Sequence, residues 1–187
     1  GTTAKLSLVD GGEPLVAYGF EAARQKRFIE GSGLPVRIST VELIEIGAGG
    51  GSIARADEIG LLKVGPHSAG SKPGPACYGL GGTEPTVTDA DFVLGYLNPD
   101  YFAGGTLKVY LDRARQAIER LAKRLALPPG KVAWGIHDVV NENMASAARV
   151  HIAERGRDLV VPGVDQAAGR AREARCRCTP LSAAGRC

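Results

Sequence analysis

A glycine-rich turn at the end of a β-rich segment is the strongest candidate for chemistry in this sequence. Pro35–Ile46 alternates β-branched and polar residues and is followed directly by Gly47-Ala48-Gly49-Gly50-Gly51-Ser52. Consecutive glycines lose much conformational entropy on folding, so we expect another group to approach this backbone closely. Ligands bind at strand ends in α/β folds, and the amides of Gly49, Gly50 and Gly51 with Ser52 could hold a phosphate. A flexible glycine turn without a ligand is the alternative.

The first three residues form a second, weaker candidate. Gly1, Thr2 and Thr3 precede a predicted hairpin, and small residues with hydroxyls can donate hydrogen bonds to a phosphate. A loose N-terminus is the alternative explanation. Neither candidate is a Walker A motif, because no Gly-Lys-Ser/Thr follows, and the spacing of a dinucleotide-binding motif is not clear.

Two carboxylates lie two residues apart in Thr86-Val87-Thr88-Asp89-Ala90-Asp91. Asp89 and Asp91 are of the type that can hold Mg²⁺. Alternatively, one of them caps a helix while the other faces solvent. No Ser-His-Asp or Cys-His signature is visible, His67 has no base or nucleophile motif near it, and Cys77 is expected to be a lone buried thiol.

Hydrophobic periodicity predicts strands first and helices later, which indicates a mixed α/β or α+β unit. Pro128-Pro129-Gly130 is expected to end the first long helix, and Gly156 to cap the second, whose buried stripe runs from Ile136 to Val150. The expected elements are a hairpin from Ala4–Val9 to Leu15–Tyr18, one or two strands in Pro35–Ile46, a short strand at Leu61–Val64, a helix capped by Thr88 or Asp89 and running to about Tyr96, and helices over Tyr110–Ala126 and Gly135–Arg155.

Composition restricts the class of protein. The chain has 187 residues, 44% of them hydrophobic and 23% charged, which indicates a globular protein. A net charge of +3 is too weak to suggest nucleic acid, and no apolar run is long enough to cross a membrane. Only Cys77 lies in the body of the chain, so a disulfide framework is not expected and the cytoplasm is favoured.

Three longer strings resemble the hydantoinase A/5-oxoprolinase family. They are STVELIEIGAGGGSIA (Ser39–Ala54), VGPHSAGSKPGPACYGLGGTEPTVTDADFVLGYL (Val64–Leu97) and GIHDVVNENMASAARVHIAERGRD (Gly135–Asp158). The family includes ATP-dependent 5-oxoprolinases, N-methylhydantoinase A subunits and subunits of acetone and acetophenone carboxylases. The resemblance covers Gly1 to about Asp158 and does not separate these members.

The resemblance implies an actin-like ATPase (ribonuclease H-like) fold, with a mixed sheet, flanking helices, and a nucleotide between two lobes. It implies ATP and Mg²⁺ as cofactors, with Gly1, Thr2, Thr3 and Gly49 to Ser52 on the nucleotide. GTTAKLSLVDGGEP resembles the family's second phosphate-binding hairpin. The expected reaction is ATP-dependent opening of a cyclic amide, of the 5-oxoproline or hydantoin type, through phosphorylation of the ring carbonyl. Expected partners are the cyclic amide, the remainder of the enzyme and a hydantoinase B-type subunit; neither nucleic acid nor a membrane is expected.

Two departures from the family pattern lead us to expect an internal, inactive fragment of a larger enzyme. The Asp-x-Gly that normally precedes Gly-Thr is missing, as is the first lobe. Residues 159–187 are expected to be a divergent, disordered basic tail, either from a shifted reading frame or as a binding segment for an anionic partner. The rival functions are the ATP-hydrolysing subunit of a ketone carboxylase and a non-catalytic fragment with a basic binding tail.

Overall fold

A computed structural model describes residues 2–10, 12–23 and 31–156 of the chain. The predictions for Gly1 and for the tail 159–187 lie outside these residues. The chain divides into two compact units. We call Lys5–Glu45 the β unit, and we call Gly1–Ala4 together with everything from Ile46 onward the helical unit.

The β unit consists of short strands. Eight strands lie in this part of the chain: β1 (Ala4–Leu6), β2 (Val9–Asp10), β3 (Glu13–Pro14), β4 (Val16–Ala17), β5 (Phe20–Ala22), β6 (Leu34–Val36), β7 (Thr40–Val41) and β8 (Ile44–Ile46). β1 and β8 each extend one residue beyond the β unit. β1 pairs with β8, while β2–β3, β4–β7 and β5–β6 are antiparallel pairs. None of the described residues of Lys5–Glu45 is buried. The β unit therefore has no hydrophobic core of its own in the described part of the chain.

Two expectations for this region need correction. The hairpin predicted between Ala4–Val9 and Leu15–Tyr18 forms only near its turn, where β2 pairs with β3 and the Leu15 amide donates to the Leu8 carbonyl over 3.0 Å. Farther from the turn, β1 pairs with β8 and β4 with β7. The segment Pro35–Ile46 contributes to three strands rather than one or two. Strands of two or three residues form few ladder hydrogen bonds, and in the described residues they remain two-stranded pairs. The combination of strands and helices is confirmed, but the described strands form no single mixed sheet.

The helical unit packs one hairpin against three helices. Strands β9 (Ser52–Ala56) and β10 (Leu62–Ser68) are antiparallel, and the helices are α1 (Val87–Val93), α2 (Leu111–Leu125) and α3 (Pro129–Glu154). The turn between the strands is fixed by Asp57, whose Oδ1 accepts hydrogen bonds from the amides of Ile59 and Leu61. β10 extends the strand predicted at Leu61–Val64 as far as Ser68.

The hydrophobic core lies where the three helices meet the hairpin. Its buried residues include Ala54 and Val64 of the hairpin, Ala90 of α1, Ile118 of α2 and Ile136 of α3. α2 agrees with the predicted helix Tyr110–Ala126 to within one residue at each end, and its apolar stripe faces this core. No helix in the described residues is long and apolar enough to span a bilayer.

The boundaries of α1 and α3 differ from the sequence predictions. α1 is capped by Thr86, one turn before Asp89, and ends at Val93. α3 begins at Pro129 because proline is favoured in the first turn of a helix, so the Pro-Pro-Gly segment ends one helix and starts the next. Gly156 follows the last residues of α3 with φ +64°, as a glycine after a helix C-terminus should. Val150 was expected in the buried stripe but is 54% exposed.

Candidate phosphate-binding turn

The glycine turn leads into β9, and Ser52 holds it closed. The Gly49 amide donates to Ser52 Oγ over 3.0 Å, and the Ser52 amide donates back to the Gly49 carbonyl over 2.9 Å. Ser52 is fully buried, so its hydroxyl acts inside the turn. These bonds give Ser52 a structural role, and its predicted contact with a nucleotide stays a prediction.

Gly50 is in close contact with the start of α1. Its carbonyl accepts from the amide of Thr88 over 2.8 Å and from Thr88 Oγ1 over 2.9 Å. A Cβ added to Gly50 would lie 2.6 Å from Thr88 Oγ1, a distance that no side chain tolerates without movement. The close approach predicted from the glycines is therefore present, and the group that approaches is Thr88 of the protein itself.

The backbone groups of this turn are not equally satisfied. The carbonyls of Gly49, Gly50 and Gly51 accept hydrogen bonds from Ser52, Thr88 and Ala69 respectively. The amides of Gly50 and Gly51, in contrast, have no hydrogen-bond partner among the described residues. Two neighbouring backbone donors without a partner are the groups with which a turn can hold an anion.

Thr2 and Thr3 are exposed at the start of β1. Within the described part of the chain, no hydrogen bond joins either of them to the glycine turn. Their predicted contact with a phosphate, and that of Gly1, stays a prediction.

Asp89 is fully buried and stabilises the structure around it. Its carboxylate accepts four hydrogen bonds: from the amides of Ala76, Cys77 and Thr86 and from the Thr86 hydroxyl, at 2.8–3.2 Å. The Thr86 hydroxyl also accepts from the Asp89 amide, which completes a capping box at the N-terminus of α1. Of the two alternatives for this pair of carboxylates, capping is the one that Asp89 fulfils.

Asp91 lies on the same helix and pairs with a histidine of α3. Its Oδ1 is 2.9 Å from Nδ1 of His137, and both side chains are about three-quarters buried. Burial raises the pKa of Asp91 above its ordinary value, and the hydrogen bond and charge of His137 act against the rise. The imidazole also stacks on Tyr96, with 4.7 Å between ring centroids. Asp91 and His137 are 46 positions apart, and no sequence signal connected them.

These contacts do not fit the magnesium role predicted for Asp89 and Asp91. The carboxylate of Asp89 has four protein donors, and that of Asp91 has an imidazole partner. Within the described residues there is no group of three His, Cys, Asp or Glu side chains that could hold a metal ion. The role stays a prediction, and we assign no step of the chemistry to a metal.

Cys77 is the lone buried thiol that the sequence suggested, with no exposed surface. Burial raises the pKa of this thiol far above its usual range, and the neighbouring charge of Asp89 adds to the rise. A thiol that stays protonated is a poor nucleophile, which excludes Cys77 as a reactive cysteine in this conformation.

Comparison with known proteins gives the class of the chain. The solved nucleotide-free structure of acetone carboxylase, from a study of ATP-dependent acetone carboxylation, superimposes with a TM-score of 0.68 at 30% identity, over 84% of this chain and 21% of that one. The helical and β elements therefore have the fold of part of a carboxylase polypeptide. The sequence model of the hydantoinase/oxoprolinase family matches residues 1–161. The chain belongs to this family.

Two relatives show how broad the family is. The chain is 50% identical to the acetophenone carboxylase gamma subunit of Aromatoleum aromaticum over 65% of its own length and 17% of that subunit. It is 44% identical to caprolactamase subunit alpha of Pseudomonas jessenii over 72% of its length and 20% of that subunit. The chain thus spans about a fifth of these curated relatives, both of which are named as subunits.

Proposed function

We propose that this chain is the phosphate-handling part of an ATP-dependent enzyme that opens a cyclic amide by phosphorylating its carbonyl oxygen. The observation that carries the proposal is the pair of amide donors at Gly50 and Gly51, which lack partners among the described residues although the carbonyls of Gly49, Gly50 and Gly51 are paired. Membership of the hydantoinase/oxoprolinase family and similarity to a caprolactamase subunit support a cyclic amide as substrate. We further propose an actin-like ATPase fold for the whole enzyme, with ATP entering as its magnesium complex.

The proposed chemistry needs groups that position the phosphoryl group and stabilise its negative charge, and it does not need a nucleophilic side chain. An amide carbonyl resists water, and a phosphoryl group on its oxygen makes the carbon more electrophilic and supplies a leaving group. Backbone donors on a rigid turn stabilise the negative charge of the phosphoryl group during transfer. Thr88, Ser52 and Ala69 hold the turn in one conformation through its carbonyls, so its amides need little reorganisation.

Nucleotide binding by the turn can be tested with a matched pair of variants. Gly50→Ala alone would strain the contact with Thr88, so both variants carry Thr88→Ala, which removes the hydroxyl oxygen 2.6 Å from a Cβ at position 50. The comparison is between Thr88→Ala/Gly50→Ala, which keeps the amide N–H of residue 50, and Thr88→Ala/Gly50→Pro, which lacks it. A ligand at a hundred times its Kd stabilises the folded protein by about 2.7 kcal/mol. We expect ATP with magnesium to raise the unfolding temperature of the alanine variant and to have a much smaller effect on the proline variant, because one of the two amide donors is gone. Equal stabilisation of both proteins would exclude the turn as the phosphate site.

The reaction itself requires the full-length enzyme and an isotope label. If the ring carbonyl oxygen is phosphorylated, water attacks the carbon, the C–N bond breaks and the protonated ring nitrogen leaves, which gives a ring-opened acyl phosphate. A second water then attacks the same carbon, the C–O bond to phosphate breaks, and the original carbonyl oxygen leaves in inorganic phosphate. A substrate labelled with ¹⁸O at that carbonyl should therefore give labelled inorganic phosphate in step with ring opening. Ring opening with unlabelled phosphate would disprove carbonyl phosphorylation.

A ketone carboxylase subunit is the second candidate, and the 50% identity to the acetophenone carboxylase gamma subunit favours it. The same phosphate-binding turn would then serve phosphorylation of an enol or of bicarbonate. The two candidates are separated by incubating the full-length enzyme with ATP and either a cyclic amide or a ketone with ¹⁸O-bicarbonate. Carboxylation of the ketone without ring opening of the amide would select the carboxylase.

A further inference from the structure

The outer face of the β9–β10 hairpin has two cations directly opposite each other. Arg55 on β9 and Lys63 on β10 are register partners, and both are exposed, while the next pair, Ala54 and Val64, is buried in the core. Like charges at directly opposed positions of an antiparallel pair destabilise it. The arrangement therefore has an energetic disadvantage unless something negative lies over this face.

The residues that the structure describes supply little of that negative charge. The turn between the strands contains Asp57 and Glu58, and only Asp57 approaches Lys63, with 4.0 Å between Oδ2 and Nζ. Its other oxygen, Oδ1, accepts the amides of Ile59 and Leu61. No carboxylate pairs with Arg55 among the described residues.

His67 adds a third donor to the same face. Arg55 Nη1 lies 3.4 Å from His67 Nδ1, and a guanidinium can only donate, so Nδ1 must accept. An imidazole that accepts at Nδ1 carries its N–H at Nε2. That N–H has no partner in the described part of the chain, and the side chain is exposed.

We propose that Arg55, Lys63 and His67 form a binding site for an oxyanion, a phosphate or carboxylate group, that is separate from the glycine turn. The guanidinium offers its remaining N–H groups to two oxygens at once, the ammonium contributes a mobile point charge, and the imidazole donates one directed hydrogen bond. A bound anion would also remove the repulsion between Arg55 and Lys63. The site does not depend on the proposed enzymatic function, because none of its residues belongs to the turn.

Titration of the whole chain with inorganic phosphate tests the site. Side-chain NMR signals of arginine and histidine are followed at constant ionic strength, with sodium chloride exchanged for phosphate, in the natural protein and in Arg55→Gln, Lys63→Gln and Lys131→Gln. Lys131 is an exposed lysine at the start of α3 and serves as the control. We expect saturable binding of phosphate to the natural protein. The affinity should fall about two- to fivefold in Arg55→Gln and in Lys63→Gln, which is the range of one exposed ion pair, and should be unchanged in Lys131→Gln.

Two further measurements complete the test. Without phosphate, Arg55→Gln and Lys63→Gln should unfold at the same or a slightly higher urea concentration, because each relieves the repulsion; this also shows that the variants fold. Acetate and ATP are titrated in parallel, and tighter binding of phosphate than of acetate assigns a phosphate group, whereas equal binding assigns a carboxylate. A response that stays linear in phosphate, or that is the same in all four proteins, overturns the proposal.

Discussion

Replacing Asp89 with asparagine tests whether a buried carboxylate, rather than a metal site, stabilises the helical unit. The substitution preserves the size of the side chain, so it creates no cavity. It removes the negative charge and turns one of the two oxygens into an NH₂ group that can only donate. Every group that contacts this carboxylate is itself a donor.

The expected loss follows from the hydrogen-bond geometry. Oδ2 accepts from the amides of Ala76 and Thr86 and from the Thr86 hydroxyl, whereas Oδ1 accepts from Cys77 alone. The amide oxygen of asparagine will therefore occupy the Oδ2 position, and its nitrogen will face the Cys77 amide. One buried donor without an acceptor costs about 1–3 kcal/mol, and the three remaining bonds lose roughly half their strength without the charge. We expect the free energy of unfolding to fall by at least about 3 kcal/mol.

Trp134 is the chain's single tryptophan and lies on α3, so its fluorescence during urea unfolding reports on the helical unit. Asp100→Asn, an exposed aspartate of the same unit, is the matched control and should change the free energy by less than about 0.5 kcal/mol. If Asp89→Asn is as stable as this control, the carboxylate does not hold its surroundings together. If magnesium stabilises the natural protein and not Asp89→Asn, the metal role is supported instead.

Three other predictions concern reactivity, pH and local stability. Cys77 should resist iodoacetamide at pH 8 until the protein unfolds, because burial keeps its thiol protonated. Peptide mapping distinguishes Cys77 from the other cysteines, and rapid labelling of Cys77 in the folded protein would disprove the prediction. The raised pKa of Asp91 means that the folded protein binds this proton more tightly than the unfolded chain, so its contribution to stability is complete below pH 3.8 and is lost as the pH rises through the folded value. Urea unfolding from pH 4 to 7 should accordingly show the natural protein losing stability relative to Asp91→Asn, and the opposite slope would contradict the burial argument. The β unit should exchange its amide hydrogens faster than α2, since it buries none of its described residues, and equal protection by mass spectrometry would show that something stabilises it.

The helices were predictable wherever periodicity and capping act locally. The apolar residues of α2 recur at helical spacing, and this spacing predicts both ends of the helix to within one residue. The start of α3 is predicted too late when Pro128-Pro129 is interpreted only as a stop, because proline is also favoured at the first helical position. Thr86 and Asp89 have the spacing of a capping box, so the true cap was visible in the sequence.

The pairing of Asp91 with His137 could not be predicted in the same way. The two residues lie on different helices, and only the packing of α1 against α3 brings them together. The pairing of the short strands in the β unit is equally hard to predict, because β4 and β7 are separated by more than twenty residues. Local pattern gives each strand its tendency to form, but the choice of partner depends on long-range contacts.

The run of glycines in the turn can be explained by packing against Thr88 or by binding of a ligand, and the hydrogen bonds of the turn bear on the choice. The contact with Thr88 explains by itself why residue 50 must be glycine, so the glycine alone is no evidence for a ligand. Packing does not explain why the amides of Gly50 and Gly51 lack partners in the described structure while every carbonyl from Gly49 to Gly51 has one. Backbone donors are nearly always paired in protein interiors, and Gly51 is buried. The unpaired amide of the buried Gly51, beside that of the partly exposed Gly50, is the reason for proposing this turn as an anion site.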